Sequence, residues 1–415
     1  MKVNPFNPTL PVDPKKFGGR KRELRTSLQA LLNTMSATTQ HLLITGERGI
    51  GKSSLISYTL YAAENKILFY DEELEFNYLT NMVVMGNNMT LQQFCTSIFK
   101  EIRKNIDAQN RIKGLFTKAL EKISKLESIS IMGNELKMKQ ENIEILLIYE
   151  FVNFIENIWD EINGNFKGIL IVIDEADQIA KIEGFGAFFK AVVEKLYADD
   201  YKKILFTLAG IDGLIDLMFK DHNSSPRTLT PIKLLELKEI DSIDILNKTL
   251  DSTGEKYSFA EDTLRRLIHY SNGFPKFLQQ IGYCIFEVDK DHYFDNKDLY
   301  YALKGNEEYN GAINILAERE FDRMWLTDIK SPQMREILQI IATFEDDIIE
   351  RQKIAEKWSK GKTQLDVYLG RLVERGMLVR PKEIGEKGFY KITNRMFKAY
   401  IRLTTQIDDL EHLLK

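Results

Sequence analysis

The sequence has few of the residues that build disulfide frameworks, metal clusters or membrane spans. Two of its 415 residues are cysteines, Cys95 and Cys284, and its five histidines are scattered without metal-ligand spacing. These counts exclude a disulfide scaffold and a cysteine-rich zinc site, and they are typical of a reducing compartment. No apolar run approaches the roughly 20 residues that cross a bilayer, and the first residues lack the apolar stretch of a secretory signal. We therefore expect a cytoplasmic protein without a membrane partner.

The chain as a whole has only a small net charge, but its C-terminal part has an excess of positive charge. The net charge is −4, yet residues 351–402 contain 14 Lys and Arg against five Asp and Glu. A basic segment on an otherwise acidic chain indicates that this part meets an anion, and nucleic acid is one candidate. The length of the chain suggests two or three domains.

Strand and helix patterns alternate along the first 235 residues. Strand-sized segments at 41–45, 77–85, 168–173 and 203–209 are separated by segments with helical periodicity. This alternation predicts an α/β fold with a parallel sheet and helices on both faces. Residues 108–145 interrupt the series as an insertion, with a predicted β-hairpin at 128–139.

The pattern changes twice after residue 235. Segments with helical periodicity alone extend to about residue 330. Three short helices, two wing strands and a last helix then predict a winged helix, whose third helix can enter the major groove of DNA. We therefore predict an α/β domain at 1–235, a helical lid at 236–330 and a winged helix at 331–415. The candidate DNA contacts are Lys360, Lys362, Thr363, Gln364, Lys382 and Lys387.

A complete phosphate-binding loop follows the first predicted strand. Gly46 and Gly51 let consecutive backbone N–H groups curl around a phosphate, and the next helix directs its positive end at the same anion. Lys52 would reach the β- and γ-phosphates of ATP, and the Ser53 hydroxyl would bind Mg²⁺. An apolar strand before the loop and a helix after it favour this function over a glycine-rich turn. The predicted nucleotide contacts in the loop are Gly46, Glu47, Arg48, Gly49, Ile50, Gly51, Lys52, Ser53 and Ser54.

Two adjacent carboxylates end the most apolar strand. Asp174 would join Ser53 in holding Mg²⁺, and Glu175 would orient and deprotonate the attacking water. Acids at a strand end are often only solvated, but their pairing with a phosphate loop favours the catalytic interpretation. Asp177 is interpreted as a helix cap or a surface acid.

The motifs in their order resemble those of prokaryotic AAA+ P-loop ATPases, especially the group similar to origin-recognition initiators and to STAND signalling ATPases. The phosphate loop and the acidic pair are specific to P-loop ATPases, whereas the other motifs are short. The further segments that carry the resemblance are 4–14, Phe17–Arg20, Ser225–Arg227, Gly273–Pro275 and the C-terminal winged helix.

The resemblance implies roles for residues outside the phosphate loop. Phe17 and Arg20 would lie near the adenine, and Arg227 would act as an arginine finger in a neighbouring subunit of a homo-oligomer. Pro275 and Lys276 match a lid motif that senses the γ-phosphate, although relatives often have arginine near this position. A turn before the first helix and a surface arginine are the plainer alternatives.

The fourth strand of the predicted sheet departs from the family pattern. It lacks the usual polar Asn near its end, and Thr207 is the one side chain there that is a candidate to touch the γ-phosphate or the water. The alternative is a β-branched residue that serves only the strand. This departure predicts slow hydrolysis.

Two functions follow from the resemblance. The first is an ATP-hydrolysing switch with Mg²⁺ that oligomerises and binds double-stranded DNA through its winged helix. The second is a signalling or defence ATPase whose winged helix clamps the nucleotide or binds a partner protein, without DNA. A metabolic kinase is a weaker third interpretation, because no motif for an acceptor pocket is present.

Overall fold

A computed structural model describes residues 3–69, 71–86, 89–108, 140–220, 227, 229–321, 324–325, 329, 331–381 and 388–413. Within these ranges, no helix is both long and apolar enough to cross a membrane. The predicted hairpin at 128–139 lies outside the described residues, as do Lys382 and Lys387.

The first part of the chain alternates between strands and helices, as its sequence predicts. Its elements are α1 (Lys21–Met35), β1 (His41–Thr45), α2 (Lys52–Glu64), β2 (Lys66–Phe69), β3 (Glu72–Glu75), β4 (Tyr78–Val84), α3 (Leu91–Ala108), α4 (Gln140–Ile162), β5 (Gly168–Asp174), α5 (Ala176–Ile179), α6 (Phe185–Ala198), β6 (Ile204–Gly210), α7 (Leu214–Met218) and β7 (Leu229–Lys233).

Five of these strands form one parallel sheet in the order β4-β5-β6-β1-β7. Every residue of β5 and β6 is buried, which explains why both read as continuous apolar runs rather than alternating ones. The carboxyl ends of β5, β6 and β1 are neighbours at one edge, and the loops that follow these strands therefore converge there. This edge positions the candidate site.

Helices cover both faces of the sheet. On one face, α3, α4 and α6 pack through aromatic rings, among them Phe94 and Phe185 with centroids 5.5 Å apart. On the other face, the core beneath α1 and α2 continues without interruption into the C-terminal half of the chain.

The C-terminal half consists mainly of helices. Its elements are α8 (Glu239–Asp251), β8 (Ser258–Phe259), α9 (Glu261–Ser271), α10 (Pro275–Val288), β9 (Tyr293–Phe294), α11 (Asn296–Lys304), α12 (Ala312–Leu316), a π-helical turn (Ala317–Phe321), α13 (Pro332–Ala342), β10 (Ile349–Glu350), α14 (Arg351–Lys357), α15 (Lys362–Glu374), β11 (Leu378–Val379), β12 (Phe389–Ile392) and α16 (Arg395–Leu413).

The elements from α13 onward form a winged helix. Strands β10, β12 and β11 make a small antiparallel sheet beside α13, α14 and α15. The α/β fold class with a helical lid and a C-terminal winged helix is therefore confirmed. The expectation of helices alone between 236 and 330 is wrong in one detail, because β8 and β9 pair as a two-residue parallel ribbon.

The buried His41 at the start of β1 predicts a pH-dependent stability. Its Nδ1 accepts a hydrogen bond from the backbone N–H of Phe206 (3.1 Å), and its ring packs edge-on against Phe206 and Phe189. Burial lowers the pKa of His41 to about 4, whereas the unfolded chain titrates near its ordinary value of 6.5. Between about pH 4 and pH 6.5, His41 therefore binds a proton in the unfolded state but not in the folded state. The stability that neutral His41 supplies is complete above pH 6.5 and is lost as the pH falls toward 4.

His41→Gln keeps an acceptor at this position but removes the titration. Between pH 7 and pH 4.5, urea unfolding should show that the wild type loses about 2.5 kcal/mol more than the variant. Equal losses in the two proteins would contradict the assignment of this effect to His41.

Candidate functional site

A cavity of about 510 Å³ opens at the edge where β1, β5 and β6 end. The phosphate loop forms its floor, and the acids after β5 and the end of β6 form one side. The extended N-terminal segment and the lid helices α8 and α10 complete the wall. A cavity of this kind, at the carboxyl ends of parallel strands, is where open α/β sheets bind ligands.

The phosphate loop has the curled backbone that its glycines permit. Gly46, Gly49 and Gly51 all have positive φ angles, of 154°, 77° and 102°. The Lys52 ammonium donates to the carbonyl oxygens of Gly46 (2.7 Å) and Glu47 (2.9 Å) and is thereby fixed across the loop. Burial lowers the pKa of Lys52, while the carboxylate of Asp174 opposes this shift. The loop therefore holds an oriented cation beside its backbone donors.

Ser53 and Asp174 face each other across the cavity. The Ser53 hydroxyl donates to Asp174 Oδ2 (3.4 Å), and Asp174 Oδ1 accepts from the backbone N–H of Glu175 (2.9 Å). A hydroxyl and a buried carboxylate are the hard oxygen ligands that Mg²⁺ prefers. The two oxygens lie 3.4 Å apart, close to the roughly 3 Å that separates adjacent ligands of an octahedral ion with bonds of about 2.1 Å, so this pair fits the predicted metal site.

Glu175 has a strained backbone at the end of β5. Its φ is 53° and its ψ is 38°, a left-handed conformation that costs a non-glycine residue about 1 kcal/mol. The turn leaves Glu175 exposed, and the residue lines the cavity beside Asp174. Strained backbone of this kind is concentrated at functional sites, where it fixes the direction of one side chain.

Asp177 and Gln178 are two wall residues that the sequence analysis did not place in the site. Asp177 lines the cavity and is 8% exposed, so its interpretation as a surface acid is wrong. It accepts a hydrogen bond from Gln178 Nε2 (2.9 Å). They follow Glu175 by two and three residues, and this closeness in the sequence is the signal that could have placed them near the site.

The N-terminal segment forms the wall opposite the acids. Arg20 is buried and donates to the carbonyl oxygen of Ile50 (3.0 Å), so it supports the phosphate loop from behind. Phe17 packs on Tyr58 with ring centroids 5.4 Å apart and lines the cavity. The backbone N–H of Val12 donates to Ser54 Oγ (3.3 Å).

This segment also reaches the lid. The backbone N–H of Asn7 donates to Gln279 of α10 (3.1 Å), and residues 7–12 line the cavity between the two halves. The prolines predict an extended segment here, but no local signal in the sequence shows that it forms a cavity wall.

The four remaining predicted residues lie in the sheet, at the surface or in the lid. Thr207 is fully buried in the middle of β6, and its hydroxyl has no hydrogen-bond partner among the described residues. The cavity begins three residues later, at Gly210, so this placement does not support contact with a phosphate. Arg227 is exposed. Pro275 and Lys276 line the cavity, but the Lys276 ammonium is ion-paired with Glu320.

Comparisons with known proteins agree with this architecture. An uncharacterized HTH-type transcriptional regulator of Methanocaldococcus jannaschii is 25% identical in an alignment of 413 positions that covers 95% of this chain and 91% of the regulator. A Walker-type ATPase of Pyrococcus abyssi has a TM-score of 0.53 and 15% identity over 92% of this chain and 95% of that chain. The Aeropyrum pernix ORC2 protein, in its ADPNP–ADP complexes, has a TM-score of 0.45 and 14% identity over 94% of this chain and 93% of that chain. No protein-family model matches the sequence.

The similarity to the Walker-type ATPase extends over nearly the whole of both chains. At 15% identity it shows that the two proteins share a fold. The chemistry of this chain must therefore be argued from its own residues.

Proposed function

We propose that this protein is an ATP-binding and ATP-hydrolysing switch of the AAA+ type. The observation that carries the proposal is the oriented Lys52 beside the facing pair Ser53 and Asp174, at the end of three neighbouring parallel strands. We also propose the division into an NTPase domain at 1–235, a helical lid at 236–330 and a winged helix at 331–415. The base and ribose would lie against the N-terminal wall and the lid.

The residues around the cavity suit hydrolysis of the γ-phosphate. Glu175 is the exposed carboxylate that would take a proton from water as the water oxygen bonds to the γ-phosphorus and the bond to ADP breaks. Lys52 and the loop N–H groups would stabilise the charge that spreads over the phosphate oxygens. Ser53 and Asp174 would hold Mg²⁺, which would help to neutralise the negative charge of the phosphates.

The proposed oligomer rests on Arg227 alone. An exposed arginine is available to a neighbouring subunit, where it would stabilise the transferring phosphate. Thr207 has no role in this scheme, because it lies within the sheet. The lack of a polar residue where β6 meets the cavity supports slow turnover.

The winged helix supports a role in DNA binding. Lys362, Thr363 and Gln364 begin α15, the third helix of the winged helix, and all three are exposed. Lys360 is less free, because its ammonium is ion-paired with Glu336 (2.9 Å). The M. jannaschii relative is named as an HTH-type transcriptional regulator, which agrees with this proposal.

The alternative function also has an observation in its favour. The winged helix contacts the phosphate loop through Arg395, which lies 3.5 Å from Glu47. A signalling ATPase whose winged helix clamps the nucleotide site would have such a contact, and it would need no DNA.

Steady-state ATP hydrolysis with and without duplex DNA distinguishes the two functions. We expect DNA to raise the turnover, and the stimulation to fall as salt rises because phosphate contacts release counterions. A variant with Lys362→Glu and Gln364→Glu should lose the stimulation. Lys297→Glu, at an exposed position of the lid, should keep it. Turnover that is indifferent to DNA at low salt would favour the clamp and a protein partner.

A further inference from the structure

The phosphate loop contacts the winged helix through its second residue. The Glu47 carboxylate accepts a hydrogen bond from the backbone N–H of Arg395 (3.0 Å), and its other oxygen lies 3.5 Å from the Arg395 guanidinium. The same guanidinium donates to Glu236, between β7 and α8 (3.0 Å). Asp347 of the winged helix lies 2.9 Å from Arg395 Nε and orients the side chain. One arginine of the winged helix thus holds a carboxylate of the phosphate loop and a carboxylate at the start of the lid.

The next two residues of the loop also contact the C-terminal half. Arg48 Nε lies 3.7 Å from Glu320, in the π-helical turn that precedes the winged helix. The Glu320 carboxylate also holds the ammonium of Lys276. The carbonyl oxygen of Gly49 accepts from the backbone N–H of Lys276 (3.4 Å). Three consecutive residues of the phosphate loop are therefore in contact with the C-terminal half of the chain.

The contact is closely packed as well as charged. A Cβ at Gly49 would lie 2.8 Å from the sulfur of Met396, which follows Arg395 in α16. The φ of 77° favours glycine here, and a side chain at this position would displace Met396 from the loop. Arg395 and Met396 do not line the cavity, so the start of α16 supports the loop without being part of the site.

The rest of α16 packs differently. Phe321 and Tyr400 stack with ring centroids 4.6 Å apart, and Phe397 packs beside both. This apolar contact joins the winged helix to the lid and is costly to open. Ion pairs that remain partly exposed are held less firmly, so the contact between Arg395 and the phosphate loop is the one that can be released.

We propose that Glu47 and Arg395 form a latch that couples occupancy of the phosphate site to docking of the winged helix. The proposal rests on the proposed nucleotide binding. In the docked state the latch holds the loop in the curled conformation whose N–H groups a phosphate requires. Docking therefore raises the affinity for nucleotide, and by reciprocity bound nucleotide strengthens docking. A ligand that pulls the winged helix away from the loop would promote nucleotide release.

Arg395→Gln in the full chain tests the latch from outside the cavity. Without nucleotide, hydrogen exchange of the backbone in residues 46–54 should become faster. The affinity for a fluorescent ATP analogue should fall about 5-fold or more, and Arg395→Lys should restore part of it. Arg351→Gln is the matched control, because Arg351 pairs with Asp366 inside the winged helix and should leave both measurements unchanged.

A double-mutant cycle with Glu47→Gln separates the latch from other effects within the loop. Because both side chains serve one contact, Glu47→Gln should add little to Arg395→Gln. The proposal would be overturned if the losses of nucleotide affinity in the two variants simply added. It would also be overturned if the Arg395→Gln protein had wild-type affinity and wild-type hydrogen exchange. If the wild type binds no nucleotide, the proposed function fails. The exchange of residues 46–54 still decides whether Arg395 supports the loop.

Discussion

Replacing Lys52 by alanine is expected to reduce the affinity for ATP at least about 100-fold. The Lys52 ammonium is held 2.7 Å and 2.9 Å from two carbonyl oxygens of the phosphate loop, where it can also donate to a bound phosphate. In the ATP complex the ammonium would exchange carbonyl acceptors for phosphate oxygens, and two such charge-assisted hydrogen bonds are worth roughly 1.5–3 kcal/mol each. About 3 kcal/mol corresponds to a 100-fold change in affinity.

Equilibrium titration with a fluorescent ATP analogue measures this effect. Lys276→Ala is the informative comparison, because that ammonium is already paired with Glu320 and its loss should weaken binding much less. Lys297→Ala, at an exposed position of the lid, should bind as the wild type does. If Lys52→Ala bound ATP with wild-type affinity, the cavity would not be the nucleotide site.

Local patterns in the sequence are enough to predict most of the sheet, and the exceptions have physical reasons. β5 and β6 are buried on both faces, so their apolar runs identify them directly. β7 was missed because it contains Pro231, which lacks a ladder donor and is tolerated since β7 is an edge strand. The β2–β3 hairpin was missed because Glu72, Glu73 and Glu75 are poor strand formers.

The site was predictable where its residues are close in sequence. The phosphate loop and the acidic pair each lie within one short segment, and the parallel sheet brings the two segments together. The prediction for Thr207 depended on where β6 ends, and strand pairing extends β6 to Gly210. Glu320 and Arg395 reach the phosphate loop only through the packing of the lid and winged helix. No spacing in the sequence could have indicated them.

Glu175→Gln is expected to lower ATP turnover by about 10²- to 10⁴-fold, which is the usual contribution of a general base. Glutamine is nearly the same size but cannot accept the proton of the attacking water. The glutamine side chain still fits the exposed position that the left-handed turn gives Glu175, so the phosphate loop and Asp174 remain in place. Binding of ATP should therefore be preserved, and the protein should accumulate with ATP bound.

Single-turnover hydrolysis and analysis of the retained nucleotide distinguish a loss of chemistry from a loss of binding. The protein with Glu175→Gln should retain ATP over a time in which the wild type retains ADP. Glu183→Gln is the matched control, since Glu183 is exposed beyond α5 and does not line the cavity. Wild-type turnover in the Glu175→Gln protein would assign the base to another residue. Asp177, the buried carboxylate two residues further along the wall, would then be the next to replace.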